Sequence, residues 1–171
     1  MYKRQIYNIT KYLFITAKNT NWDANIWYLE RFSFNDGRVN PAREIERITF
    51  NQISDDNRAL LKDYMKYQIG IAQRTSLQTI RCQYYDIVIF LKYCDAEKWS
   101  LTEVDAERME KYISSVDAED IQAESYNHRI ISVARLFDYM KSKKLVQREP
   151  LQFDYYLKTV HVKHNDRTVS I

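Results

Sequence analysis

The sequence predicts a mainly all-α fold. Two observations carry this: helix breakers are scarce, and apolar residues recur at helical spacing from residue 54 onward. Glycine and proline number two each in 171 residues, as Gly37, Gly70, Pro41 and Pro150. That excludes collagen, glycine-rich phosphate loops and turn-dense β-sandwiches. Hydrophobic residues make up 45% and charged residues 29%, a globular balance. A chain of this length buries roughly 70% of its unfolded surface and needs no disulfide or metal to fold.

Residues 1–52 form an extension without a clean period. Ile6 to Ala17 mixes aromatic and β-branched residues. Trp22, Ile26, Trp27, Leu29 and Phe32 suggest a short helix with a bulky apolar face. Asn35-Asp36-Gly37 and Asn40-Pro41 are turn signals. The expectation is one short helix and extended pieces.

Residues 53–148 read as a four-helix unit. Ser54 or Asp55 can cap the first helix, and Asp56 suits its positive end. Leu60, Leu61, Tyr64, Tyr67, Gln68 and Ile71 share a stripe, and Gly70 lies near the stop. Thr75 or Ser76 caps the second helix. Leu77, Ile80, Tyr84, Ile87, Val88, Leu91 and Cys94 form its apolar face, with Thr79, Gln83 and Asp86 opposite. Phe90 and Tyr93 also point away from that face, so that side is expected to meet another element. Ser100 to Asp105 reads as a loop with two apolar anchors, capping a short helix at Asp105. Met109, Tyr112, Ile113 and Val116 line that helix. The last helix starts near Ser125 and buries Tyr126, Ile130, Val133, Phe137 and Met140. His128, Ser132, Arg135 and Asp138 lie opposite. Lys141, Lys143 and Lys144 sit at its negative end. Residues 149–171 follow Pro150 as an extended basic linker with Lys158, His161, Lys163, His164 and Arg167. It stops at Thr168-Val169-Ser170-Ile171 without a terminating element. A cut inside a larger protein is one reading, and a floppy tail the other.

The net charge of +3 is unevenly spread. Residues 1–50 carry 8 Lys/Arg against 5 Asp/Glu, residues 51–120 carry 9 against 13, and residues 121–171 carry 9 against 5. A basic last third offers one face to a polyanion, against the plainer reading of surface scatter. Cys82 and Cys94 lie twelve residues apart in one helix, roughly 18 Å, too far to bridge. They read as reduced thiols. No signal peptide and no run of about 20 apolar residues is visible. A soluble, cytoplasmic protein is expected.

Catalytic patterns are missing from the sequence. His161 and His164 have no ligand cluster beside them. No P-loop or G-x-S-x-G occurs. The acidic run Glu103, Asp105, Glu107 and Glu110 fits no EF-hand and reads as a solvated face. Binding is left. On the last helix Asn127, His128, Arg129, Ser132 and Arg135 lead into Lys141, Lys143 and Lys144. Arg and Asn address base edges, while Lys and Ser take phosphates. The start of the second helix adds Arg74, Ser76, Thr79 and Arg81, where amides and hydroxyls suit a phosphate. A solvated helix face is the competing reading.

The run Thr75-Ser76-Leu77-Gln78-Thr79-Ile80, followed by Tyr84-Tyr85 and Phe90-Leu91-Lys92-Tyr93, resembles the first long helix of the core-binding domain of tyrosine recombinases (phage integrases). Leu101 to Asp105 and Met109 to Ile113 resemble that family's loop and short helix. Ser125 to Met140 is similar to its final helix. Lys144 to Pro150 is similar to its exit, with Glu149 where an Asn is usual. The likeness covers about residues 74–150.

The resemblance implies a SAM-like four-helix core-binding bundle that clamps one side of a recombination-site DNA duplex. It implies that a separate C-terminal domain, absent from this chain, supplies the Arg, Lys, His-x-x-Arg and nucleophilic Tyr that cut and rejoin DNA. The expected protein is therefore a non-enzymatic, cofactor-free, double-stranded-DNA-binding fragment. It would be monomeric alone and would meet other recombinase protomers when full length. Lys163 and its basic neighbours would track phosphates from the linker. An arm-binding domain pattern is not matched in the first 50 residues. The alternative is a helical protein–protein interaction module without a nucleic-acid role, motivated by the 14 Tyr, 7 Phe and 3 Trp.

Overall fold

The computed structural model describes residues 2–32, 34, 47–71, 76–146 and 151–160. Five helices and one two-stranded sheet follow in order: α1 (Tyr2–Thr16), β1 (Ile26–Tyr28), β2 (Arg47–Thr49), α2 (Asp55–Gly70), α3 (Leu77–Glu97), α4 (Ala106–Asp117) and α5 (Ala123–Ser142). The turn signals at residues 35–41, Thr75, Pro150 and the histidines His161 and His164 lie outside the described residues. The mainly all-α expectation holds among the described residues.

The extension differs from its expectation. A 15-residue helix occupies Tyr2–Thr16, and Trp27 lies in a strand rather than a helix. β1 pairs antiparallel with β2 in the register Ile26–Thr49, Trp27–Ile48 and Tyr28–Arg47. The helix lacks a clear sequence signal because α1 is apolar on both sides. Phe14 is buried inward, whereas Ile6, Ile9 and Leu13, which share a stripe at helical spacing, are exposed along with Tyr12, so the stripe does not mark the side that packs. Trp27 is fully buried. It meets Phe50 at 4.7 Å and Trp22 edge-on at 5.0 Å between ring centroids. Thr10 shares a 3.0 Å hydrogen bond with the Tyr28 hydroxyl, tying α1 to the sheet.

The sheet joins the helices through Tyr84 of α3. Its hydroxyl donates to the Thr49 carbonyl and accepts from the Thr49 N–H. Phe50 lies edge-on to the same ring at 6.1 Å.

α2 begins after Ser54, whose side chain makes no capping bond. The Asp95 carboxylate of α3 supplies charge there, accepting from the Ser54 N–H at 2.8 Å and Asn57 Nδ2 at 2.7 Å. A carboxylate at a helix N-terminus is favourable. Leu61, Tyr64, Met65, Gln68 and Ile69 are buried on α2. Ile71, expected on that stripe, falls one residue past the helix and is 70% exposed.

α3 starts at Ser76, whose Oγ accepts from the Thr79 N–H at 3.1 Å. It stops at Lys98 in the left-handed region, φ 58°. The Trp99 N–H then reaches the Cys94 carbonyl at 2.9 Å, closing the end as a Schellman motif. Asp105 caps α4 through the Arg108 N–H at 3.0 Å, as its position predicts. Leu101 and Val104 are the two buried anchors. α5 begins two residues earlier than Ser125, at Ala123.

α3 packs most extensively against α5. Phe90 faces away from the main stripe and finds α4 and α5 there, meeting Tyr112 at 4.8 Å and Phe137 at 6.0 Å. Because α3 is covered on more than one side, two residues expected to point outward are instead enclosed. Gln83 is 4% exposed and accepts from the Tyr64 hydroxyl at 3.4 Å. Gln68 Nε2 donates to the same hydroxyl at 2.8 Å. Burial pushes the Tyr64 hydroxyl pKa up to about 12. Asp86 accepts from Ser132 of α5 at 2.8 Å.

Burial lifts the Asp86 carboxyl above its ordinary range, while Ser132, Arg129 and His128 pull it back down. A carboxyl raised in the fold favours folding most in acid, and that contribution is lost as pH rises through the folded value. Asp86→Asn removes the effect and keeps an acceptor for Ser132. Its stability relative to wild type is expected to improve between about pH 4 and about pH 7. Urea unfolding at both pH values measures this, and a constant gap would contradict it.

Candidate nucleic-acid interface

The sequence proposes two surfaces: the outward side of α5 and the start of α3. The structure places their residues in three groups.

Some are committed to internal work. Ser132, expected to point outward, is 2% exposed; its hydroxyl serves Asp86 and the His128 carbonyl. The helix turns it toward α3. Asn127 uses both ends of its amide on Lys158, donating to the carbonyl at 2.7 Å and accepting from the N–H at 2.8 Å. It pins the segment after the bundle to α5. Arg129 pairs with Glu119 at 2.7 Å with its side chain 12% exposed. Ser76 and Thr79 bond each other, Oγ to Oγ1 at 2.8 Å, as part of the α3 cap.

A second group faces solvent. Arg135, Lys141, Lys143, Lys144 and His128 are exposed. Arg135, Lys141, Lys143 and Lys144 form no ion pair among the described residues. Lys143 lies 5.7 Å over the Tyr139 ring. Lys144 sits in the left-handed region at φ 57°, where the Leu145 N–H reaches the Met140 carbonyl at 2.9 Å and closes α5. Glu124, Ile131 and Asp138 are exposed on the same helix, so positive charge concentrates toward its C-terminal end. The third group, Arg74 and Lys163, lies outside the described residues.

The sequence reading missed one feature. β2 brings Arg47 beside α3, where Arg47, Ile48, Thr49, Gln52, Arg81, Tyr84 and Tyr85 line a groove of about 400 Å³. Arg47 stacks on Tyr7 at 5.0 Å and Arg81 on Tyr85 at 5.4 Å. The two arginines are 34 positions apart in the chain, and no local pattern links them. Among the described residues no group of three His, Cys, Asp or Glu side chains could hold a metal. Cys82 is exposed, Cys94 is buried, and both are free. No described helix is long and apolar enough to cross a membrane.

The stretch from α2 to just past α5, residues 61–144, matches the family described as phage integrase, N-terminal SAM-like domain. Residues 61–144 belong to the phage-integrase SAM-like family. The SAM-like domain thus contains α3, α4, α5 and most of α2, together with every described candidate residue. In integrases this is the non-catalytic N-terminal part. Arg47 and the sheet lie outside the matched residues. No curated protein and no solved structure matches the chain.

Proposed function

We propose that this protein is a duplex-DNA-binding module of a site-specific tyrosine recombinase. It holds the recombination site while a separate catalytic domain of the family cuts and rejoins the strands. The observation that carries this reading is the SAM-like match over residues 61–144. The exposed cations Arg135, Lys141, Lys143 and Lys144 support it, because phosphate contact needs charges not already paired within the protein.

Fluorescence anisotropy with a labelled duplex tests the reading. Arg135→Ala and Lys144→Gly are expected to weaken binding several-fold, and Lys98→Gly to leave it nearly unchanged. Glycine is chosen at residues 98 and 144 because both sit at positive φ, so charge is removed without adding strain. No duplex binding at low salt would overturn the proposal.

A protein-interaction module is the second reading. Ile6, Ile9, Tyr12 and Leu13 of α1 favour it, since all four are exposed. A stoichiometric protein complex indifferent to DNA would support that reading instead.

A further inference from the structure

The groove between β2 and α3 differs from other grooves on the described surface in its charge. One, between α2 and the segment before β1, is lined by Asp23, Asp55 and Asp63 as well as cations. Another, near the α3–α4 connection, carries Asp56 and Asp95. Among the described residues the β2–α3 groove has two arginines, a glutamine, a threonine and two tyrosines, and no carboxylate. Lys92 stands at its edge, donating to Gln52 Oε1 at 2.5 Å.

Neither Arg47 nor Arg81 has a carboxylate partner among the described residues. Each guanidinium rests over an aromatic ring. Such cation–π contact holds each guanidinium in place, and among the described residues neither spends an N–H donor on a protein acceptor. Tyr85 is 47% exposed, so the Arg81 fork reaches solvent at the groove mouth. A planar, pre-set fork matches the paired oxygens of a phosphodiester better than a mobile ammonium does. Gln52 and the rim lysine add neutral and charged donors.

We infer that this groove seats the phosphodiester backbone of duplex DNA, so that the N-terminal sheet extends the footprint of the SAM-like domain. The inference rests on the DNA-binding reading above and adds residues outside the matched stretch. Residues 1–52 then act in binding through Arg47, rather than only covering the bundle. The groove recognises charge and shape and reads no base sequence.

Salt titration of binding to a labelled mixed-sequence duplex tests this with the full chain. Removing one cation from a phosphate lowers the slope of log K against log salt by about 0.9. Arg47→Gln combined with Arg81→Gln is expected to lower it by about 1.8, and Arg47→Lys to preserve it. Gln52→Glu leaves both stacked pairs intact and places a carboxylate beside Lys92. It is expected to weaken binding and reduce the slope even if the arginine variants fold poorly. Wild-type binding with an unchanged slope in Gln52→Glu, or in folded Arg47→Gln/Arg81→Gln, overturns the groove while leaving the DNA-binding reading in place. No binding by wild type overturns both.

Discussion

Phe90→Ala is expected to destabilise the protein by about 3–5 kcal/mol, the usual cost of removing a buried phenyl ring. Phe90 is fully buried on α3. It touches Tyr112 of α4 and Phe137 of α5, so one side chain joins three helices. Truncation leaves a cavity that three separate backbones would have to close, and close packing resists that. For a chain of this size the melting temperature is expected to fall on the order of 10 °C. Urea unfolding should show a lower midpoint at unchanged slope. Ile131→Ala on the exposed side of α5 is the control, expected within about 0.5 kcal/mol of wild type. Equal costs at the two positions would contradict the packing described.

Duplex binding is expected to weaken on the order of 100-fold between about 50 and 200 mM salt. Four phosphate contacts, one each from Arg135, Lys141, Lys143 and Lys144, give a slope of about −3.6. The physical cause is counterion release: each cation that docks on a phosphate frees a condensed ion, and added salt opposes that. If the β2–α3 groove also engages the backbone, the slope is steeper still. Anisotropy titrations at three or more salt concentrations check this. A flat response would mean that these cations do not meet phosphate.

The helical bundle is legible in the sequence because its signals are local. Ser76 and Asp105 cap where their positions predict, since a capping side chain needs only amides two or three residues onward. Tyr126, Ile130, Val133, Phe137 and Met140 of α5 follow the 3.6-residue period and all are buried. Phe90 is readable as facing a further element, though not as the joint of three. α1 is misread, because its stripe of Ile6, Ile9 and Leu13 faces solvent and so does not mark the side that packs. β1 reads as helix from its sequence because three residues are too few to show alternation, and its pairing partner β2 lies about twenty positions away.

The candidate site divides the same way. Residue type and helix position alone mark the cations at the end of α5, and those side chains are exposed because a charged chain end stays in water. Ser132, Asn127 and Arg129 share their stretch of sequence but are spent on Asp86, Lys158 and Glu119. Periodicity tells which side of one helix is apolar; it does not tell how many neighbours that helix has. The sequence by itself determined α2 to α5, the caps of α3 and α4 and the basic end of the bundle, since each depends on residues within one or two turns. Only the tertiary structure decided which polar side chains remain available and set Arg47 beside Arg81, because contacts across 34 residues of chain arise from packing and leave no trace in local spacing.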